Sequence, residues 1–408
     1  MKSSRLLRSA KLGIIILTTL VLFATPNLCL ERTTSQSVND QVEECQFPAI
    51  FNFGDSNSDT GGLTALYGPA HPPNGITFFG GSAGRFCDGR LVIDFLAGSL
   101  GLPYLNAYLN SIGSNFSHGA NFASAGATIR PQTTIYFPKD YSPISLNVQS
   151  AEFSTFHTRS QVVRNQGGFF ETLPREDYFA NALYTFDIGQ NDLSTGYKLN
   201  MSTEQVKAIV PDVLALYAKT IRAVYAQGGR TFWIHNVGPM GCLPYMLDGY
   251  PLTDAQVDKF GCAIPINEAA QFYNAKLKEL VEQLRKELSL AAFTYVDIYS
   301  IKYTLIARAE ELGFEEPLVT CCGTGGKYNF DNSMRCGSTK IVDGKKIVVA
   351  NSCKNPSIKV IWDGIHYTEA ANKWIIDQIL NNASYLDPPV SLKRACHVSG
   401  YQTPLFLS

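Results

Sequence analysis

Ala49-Ile50-Phe51-Asn52-Phe53 runs directly into Gly54-Asp55-Ser56-Asn57-Ser58-Asp59-Thr60-Gly61-Gly62. The apolar run reads as a buried strand, and Gly54 frees the backbone for a sharp turn where the strand ends. Such a turn presents Ser56 at the C-terminal edge of a sheet, the place where rigid scaffolds carry functional loops. Serine is also an ordinary turn or cap residue, so Ser56 gains chemical meaning only from partners elsewhere in the chain.

The same grammar repeats downstream. Ala182–Ile188, Thr231–Val237 and Ala292–Ile298 read as further buried strands. Helical segments lie between them: Gly89–Gly101 with Leu91, Phe95 and Leu96 inward, one from Ser202 through Tyr225, and one from Thr253 to about Leu288. Ser202-Thr-Glu-Gln205 and Thr253-Asp-Ala-Gln256 carry the reciprocal capping pattern of a helix start, and Gly228-Gly229 stops the first of these helices. This alternation predicts an α/β fold, a mainly parallel sheet covered by helices on both faces. No internal repeat or Gly/Pro/Ser-rich linker divides the chain, so one domain over 47–390 is expected, with a tail at 391–408.

Composition narrows the class. The 408 residues are 45% hydrophobic and 17% charged, which suits a globular chain with a substantial core. A formal net charge of −1 and no long Lys/Arg run argue against nucleic acid as a partner. At the N-terminus, Lys2, Arg5, Arg8 and Lys11 precede the apolar run Leu12–Ala24 and then Pro26, the pattern of a cleaved signal peptide over 1–30, followed by a polar segment at 31–46. No stretch reaches the roughly 20 apolar residues of a membrane span.

Ten cysteines agree with export. Removal of Cys29 with the signal segment leaves nine, so one stays free. Short-range candidates are Cys242 with Cys262, and Cys322 with Cys336 or Cys353, although spacing leaves the connectivity open. The absence of any C-x-x-C pair or clustered His/Cys spacing argues against a metal site. Asn115, Asn200 and Asn382 each begin an Asn-x-Ser tripeptide, a glycosylation acceptor on a secreted chain.

The partners Ser56 needs lie far along the chain. Asp363-Gly-Ile-His366 precedes a helical pattern with Ala370, Trp374, Ile375 and Ile379 inward, and its spacing lets the carboxylate reach the imidazole Nδ1–H and fix the tautomer. Taken alone, Asp363 also reads as a helix cap. Two further segments address an oxyanion: Gly189-Gln-Asn191-Asp192 after the second strand, and Asn121-Phe-Ala-Ser-Ala-Gly126, whose small residues let backbone N–H groups approach a substrate. His71, His118, His157, His235 and His397 have no comparable carboxylate nearby in sequence.

In their order and relative positions these four segments resemble the plant GDSL esterase/lipase family of the SGNH hydrolases, over about residues 48–387. The likeness extends to Gly84-Arg-Phe-Cys-Asp-Gly-Arg90 and Cys321-Cys-Gly-Thr-Gly-Gly326. It implies a three-layer αβα sandwich, Ser56 as nucleophile, His366 as base, and Asp363 as its orienting partner. It also implies an oxyanion hole from the Ser56 and Gly126 backbone N–H groups and the Asn191 side chain, with no metal or organic cofactor. Ala125-Gly126 departs from the family's common Gly-Gly but keeps the donor glycine. Asp55 and Asp59 are expected to hold the nucleophile loop, and Arg85 and Arg90 to anchor loops, with contact to an acidic substrate as the alternative for the arginines.

The segment from Gly54 through His71-Pro-Pro-Asn74-Gly75 is most similar to the subgroup of early-nodulin-type proteins and carbohydrate or small-glycoside acetylesterases. The expected partner is therefore a small-molecule or carbohydrate ester, met in the extracellular space, cell wall or vacuole, in a polar cleft near Asn74, Tyr141 and Asn147. No clearly amphipathic lid supports a long-chain lipase. Acyl transfer from the same acyl-enzyme is the alternative within the family, and a noncatalytic carbohydrate-binding or storage protein is the alternative from another class.

Overall fold

Strand β1, Ile50–Gly54, is buried along its whole length and lies inside a six-stranded sheet. The computed structural model describes residues 44–131, 142–168 and 170–396. The signal-peptide segment 1–30, Cys29, Tyr141 and His397 lie outside the described residues. The described residues belong to one compact unit.

The other strands are β2 (Gly119–Asn121), β3 (Leu183–Asp187), β4 (Thr231–His235), β5 (Ala292–Val296) and β6 (Leu386–Asp387). Their order across the sheet is β6-β5-β4-β3-β1-β2, parallel throughout except for β6 against β5. The chain leaves β1 toward β2 on one side and returns to β3 on the other. The β1/β3 boundary is thus the topological switch point, where the two loops diverge and leave a crevice beyond the strand ends. The turn carrying Ser56 follows β1, and the Gly189–Asn191 turn follows β3.

Helices cover the sheet in two groups. Leu146–Asn165 (α2) packs on Val210–Ala226 (α4), and α4 on Ile264–Glu287 (α5). Val92–Ser99 (α1) packs on Glu369–Asn381 (α7), and α7 on Ile298–Ala307 (α6). A shorter helix, Gln190–Lys198 (α3), rises from the turn after β3. The expected sandwich of a mainly parallel sheet between helices is observed.

Alternation along β1 explains its two faces. Phe51 and Phe53 point toward α2, where Phe153 meets both rings at centroid distances of 5.4 and 5.7 Å. Phe53 also stacks on Phe186 of β3 at 4.6 Å. Asn52 points the other way, and the strand register sets it beside Asn121 of β2 and Thr185 of β3. These three buried polar side chains form one rung across the sheet, with Asn52 Nδ2 donating to Asn121 Oδ1 at 2.7 Å and Thr185 Oγ1 to Asn52 Oδ1 at 2.7 Å.

Two helices differ from expectation. The Ser202 capping box forms, but its helix ends at Ala208 and α4 begins afresh at Val210, because Pro211 supplies no N–H to continue the ladder. The Thr253 box closes only a single 3₁₀ turn, Asp254–Gln256; left-handed Gly261 and the Cys242–Cys262 disulfide redirect the chain before α5 opens at Ile264. The other disulfides are Cys45–Cys396, Cys321–Cys353 and Cys322–Cys336, leaving Cys87 buried and unpaired among the described residues. No helix among the described residues is long and apolar enough to cross a membrane.

Because Phe186 fills the space between Phe53, Tyr217 and Phe232, Phe186→Ala opens a cavity at the centre of the sheet. Urea unfolding is expected to show a loss of about 3–5 kcal/mol.

Candidate active site

Four chain segments meet at the C-terminal edge of β1 and β3 and enclose a cleft of about 480 Å³. Ser56, Gly126, Asn191, Asp363 and His366 all line it, so the residues singled out from sequence come together. Ser56 and His366 are only 5% and 8% exposed, which places both side chains at the bottom of the cleft.

The Ser56 turn is built by two aspartates. Asp55 Oδ1 accepts from the Asn57 backbone and side chain, both at 3.0 Å, and the Ser58 N–H closes back on the Asp55 carbonyl. Asp59 does more: Oδ1 accepts the N–H groups of Gly61 and Gly62, while Oδ2 accepts those of Leu63 and Ala125. One carboxylate therefore clamps the loop that carries Ser56 to the loop that carries Gly126. Gln149 of α2 acts as a substitute strand, its amide accepting from Gly54 N at 2.9 Å and donating to Gly54 O at 2.8 Å. Sequence reading missed Gln149 because nothing local marks a helix glutamine as a strand partner.

On the Gly126 side of the cleft, neither the Ser56 nor the Gly126 N–H is tied to an acceptor among the described residues. Gly126 has φ +80°, a conformation suited to glycine. Asn191 Nδ2 donates to the Ala127 carbonyl at 2.9 Å and lies 3.4 Å from Asp55 Oδ2. Asp192 next to it accepts the Ile129 and Arg130 N–H groups, fixing the far end of the same loop.

On the opposite wall, Asp363 Oδ2 lies 2.7 Å from His366 Nδ1, and its Oδ1 accepts the Ile365 and His366 N–H groups. The imidazole and these N–H donors hold the carboxyl below its usual range despite burial. A carboxylate at this distance favours the tautomer with the proton on Nδ1, which leaves Nε2 free to accept one. Nε2 is buried and has no protein partner. Asp363 does not cap the following helix: Thr368 does, accepting from Ala371 N at 3.2 Å.

The arginines anchor loops, as expected. Arg85 pairs with Asp94 and donates to the Thr60 and Ala83 carbonyls, and Arg90 pairs with Glu369 at the start of α7. Asn74 borders the cleft, but its amide is engaged with Trp362 Nε1 and the His71 carbonyl. Asn147 lies exposed on α2, away from the cleft lining. The walls instead include Leu63, Tyr67, Phe86 and Ile365, with Arg335 at the rim. Asn115, Asn200 and Asn382 are all exposed. No group of three or more His, Cys, Asp or Glu suited to a metal ion occurs among the described residues.

Residues 50–379 match the GDSL-like Lipase/Acylhydrolase family. The chain is 61% identical over 353 residues, 86% of its length and 93% of the relative's, to an Arabidopsis thaliana GDSL esterase/lipase. It is 53% identical to a protein named Alpha-L-fucosidase 3 from the same plant, over 86% of this chain and 94% of that one. To the GDSL esterase/lipase ENOD8 of Medicago truncatula it is 52% identical, over 87% and 91% respectively.

Two outcomes follow from this geometry. Gln149→Leu strips the Gly54 N–H of its buried acceptor, so chemical denaturation should show a loss of about 1–3 kcal/mol together with reduced turnover. The second concerns pH: burial raises Asp55 and Glu152 to about 7 and Asp192 to about 6. These groups hold protons in the fold that the unfolded chain has already released, so their stability contribution is full at low pH and is lost as pH rises through about 6–7. Asp363 and Asp187, both lowered, act oppositely but only at more acid pH. Scanning calorimetry should therefore give a higher Tm near pH 5 than near pH 8.

Proposed function

The chain belongs to the GDSL-like lipase/acylhydrolase family, and from that premise we propose that it hydrolyses short acyl esters of carbohydrates or specialised metabolites through a Ser56–His366–Asp363 acyl-enzyme. That it is a carboxylic ester hydrolase of the SGNH type is the family's own chemistry; the substrate and the residue roles are the proposal. The observation that carries it is the buried His366, oriented by Asp363 at 2.7 Å, its Nε2 unpartnered in the cleft that Ser56 lines.

In this reading Ser56 Oγ attacks the ester carbonyl carbon and its proton passes to His366 Nε2. The carbonyl electron pair moves onto oxygen, which meets the Ser56 and Gly126 N–H groups and the Asn191 amide. Collapse expels the alcohol, protonated by His366, and leaves acyl-Ser56. Water repeats the sequence and releases the acid. A sugar hydroxyl in place of that water makes a new ester, which is the acyltransferase alternative.

The cleft's modest volume favours a short acyl group, since a long chain needs an extended apolar channel. A glycosidase activity, suggested by one relative's name, requires two carboxyls free to flank a glycosidic bond. At this cleft Asp363 is committed to His366 and two backbone N–H groups, and Asp55 to Asn57. Four disulfides and three exposed Asn-x-Ser asparagines support a glycoprotein working outside the cytosol.

Initial rates on p-nitrophenyl esters from acetate to palmitate test the proposal. Acetate turnover is expected to exceed palmitate, and Ser56→Ala to lower it by roughly 10⁴-fold or more. A palmitate optimum refutes the short-acyl assignment, and equal rates for Ser56→Ala and the unaltered protein refute the nucleophile.

A further inference from the structure

Behind the nucleophile turn lies a second set of buried ionisable groups that the mechanism above does not use. His235, the last residue of β4, sits with Nδ1 3.6 Å from Asp187 Oδ2, and neither of its buried ring nitrogens has a hydrogen-bond partner. Lys302 of α6 is 4% exposed, its ammonium 4.5 Å from the centroid of the Tyr367 ring. Asp187 and Asp55 are joined through backbone, the Asp55 N–H donating to the Asp187 carbonyl at 3.1 Å. The cluster thus abuts the residue that precedes the nucleophile.

Resting on the reading of Asn191 as an oxyanion donor, we propose that Asp55 is a positioning residue that works as a neutral acid. Its burial beside the Asp187 carboxylate suppresses its charge, and the neutral carboxyl leaves the second N–H of Asn191 to the substrate oxygen. The geometry is specific. Asn191 Nδ2 has two hydrogens: one goes to the Ala127 carbonyl at 2.9 Å, and the other lies near Asp55 Oδ2 at 3.4 Å. A charge-assisted N–H···carboxylate bond closes to about 2.7–2.9 Å, so the 3.4 Å bond from Asn191 Nδ2 to Asp55 Oδ2 holds that hydrogen only loosely. An ionised Asp55 would compete for it and set a negative charge beside the developing oxyanion.

Burial and the Asp187 charge favour the neutral acid and outweigh the opposing Asn57 donors and His366. The titratable groups facing Asp55 are Asp187, Lys302, His366 and Tyr273, while His235 and Tyr217 face Asp187. Two adjacent buried carboxyls do not both ionise readily. Asp187, nearer the imidazole and ammonium, keeps its charge and is held below the usual range, whereas burial and the Asp187 charge push Asp55 up to about 7. Below that pH Asp55 is neutral; above it, Asn191 is contested. A His-based hydrolase without such a group gains activity as its imidazole deprotonates and keeps it at alkaline pH; this one should lose it.

The test is kcat and KM for phenyl acetate by pH-stat from about pH 5 to about pH 9, on the full protein and on Asp55→Asn, Asp187→Asn and Ser56→Ala, each checked for folding by circular dichroism. The unaltered protein should lose kcat by about tenfold or more above pH 7, with KM moving less than about twofold. Asp55→Asn, which cannot ionise, should show no such alkaline fall. Asp187→Asn removes the charge that raises Asp55, so its fall should begin at lower pH; this variant also decides the matter if Asp55→Asn does not fold. An alkaline limb unchanged in Asp55→Asn, or unmoved in Asp187→Asn, overturns the inference while leaving the esterase reading intact. No turnover by the unaltered protein at any pH overturns both, and turnover retained in Ser56→Ala refutes the nucleophile alone.

Discussion

The Asp59 carboxylate, buried and accepting four backbone N–H groups, is the contact on which the site's geometry depends. Three of its donors belong to the turn after Ser56 and the fourth is Ala125, one residue before Gly126. The loops that carry Ser56 and Gly126 come from points about seventy residues apart, and the backbone pairing between them ends where Ser124 N–H donates to the Gly54 carbonyl at 3.2 Å. A charge with several short N–H donors is stiffer than the neutral bonds of a loop, and it spaces the two loops without side-chain packing. Asn121 reinforces the clamp, with its Nδ2 donating to the Ser58 carbonyl and to Thr60 Oγ1.

Polar groups elsewhere in the sheet serve the same end. The Asn121–Asn52–Thr185 rung puts amides and a hydroxyl where a parallel sheet ordinarily carries aliphatic residues. Each is satisfied by the next, and Asn52 also reaches Ser58 Oγ in the nucleophile turn. A half-satisfied network of this kind destabilises a core, whereas a complete one fixes a single arrangement. The Asp187–His235–Lys302 cluster is the exception, because His235 remains unpartnered. Buried ion pairs contribute little net stability, which makes an electrostatic role beside the active site the more economical account of their presence.

Much of the architecture was legible because it rests on local pattern. Ile50–Phe53, Leu183–Asp187, Thr231–His235 and Ala292–Val296 stand out as short apolar runs, and the Asp363–His366 spacing allows the observed 2.7 Å contact within one loop. Strand β2, Gly-Ala-Asn, carries no such signal, since it is a strand only by pairing with β1. Each of the two long helices begins later than its capping box for a related reason: a capping box reports that a turn begins, and Pro211, Gly261 and the Cys242–Cys262 bond then decide how far it runs.

By itself, then, the sequence determined the class of sheet, the serine turn, and the histidine with its carboxylate, because each depends on residues within a few positions of one another. Only the tertiary structure decided which distant groups share a dielectric and a hydrogen bond. Gln149 completing the edge of β1, Asp59 bridging two loops, and Asp55 lying between Asn191 and the Asp187 charge are all through-space relations. Burial and Coulomb interactions depend on separation in space, and residues 55, 187, 235 and 302 become neighbours only when the parallel strands align their C-terminal ends.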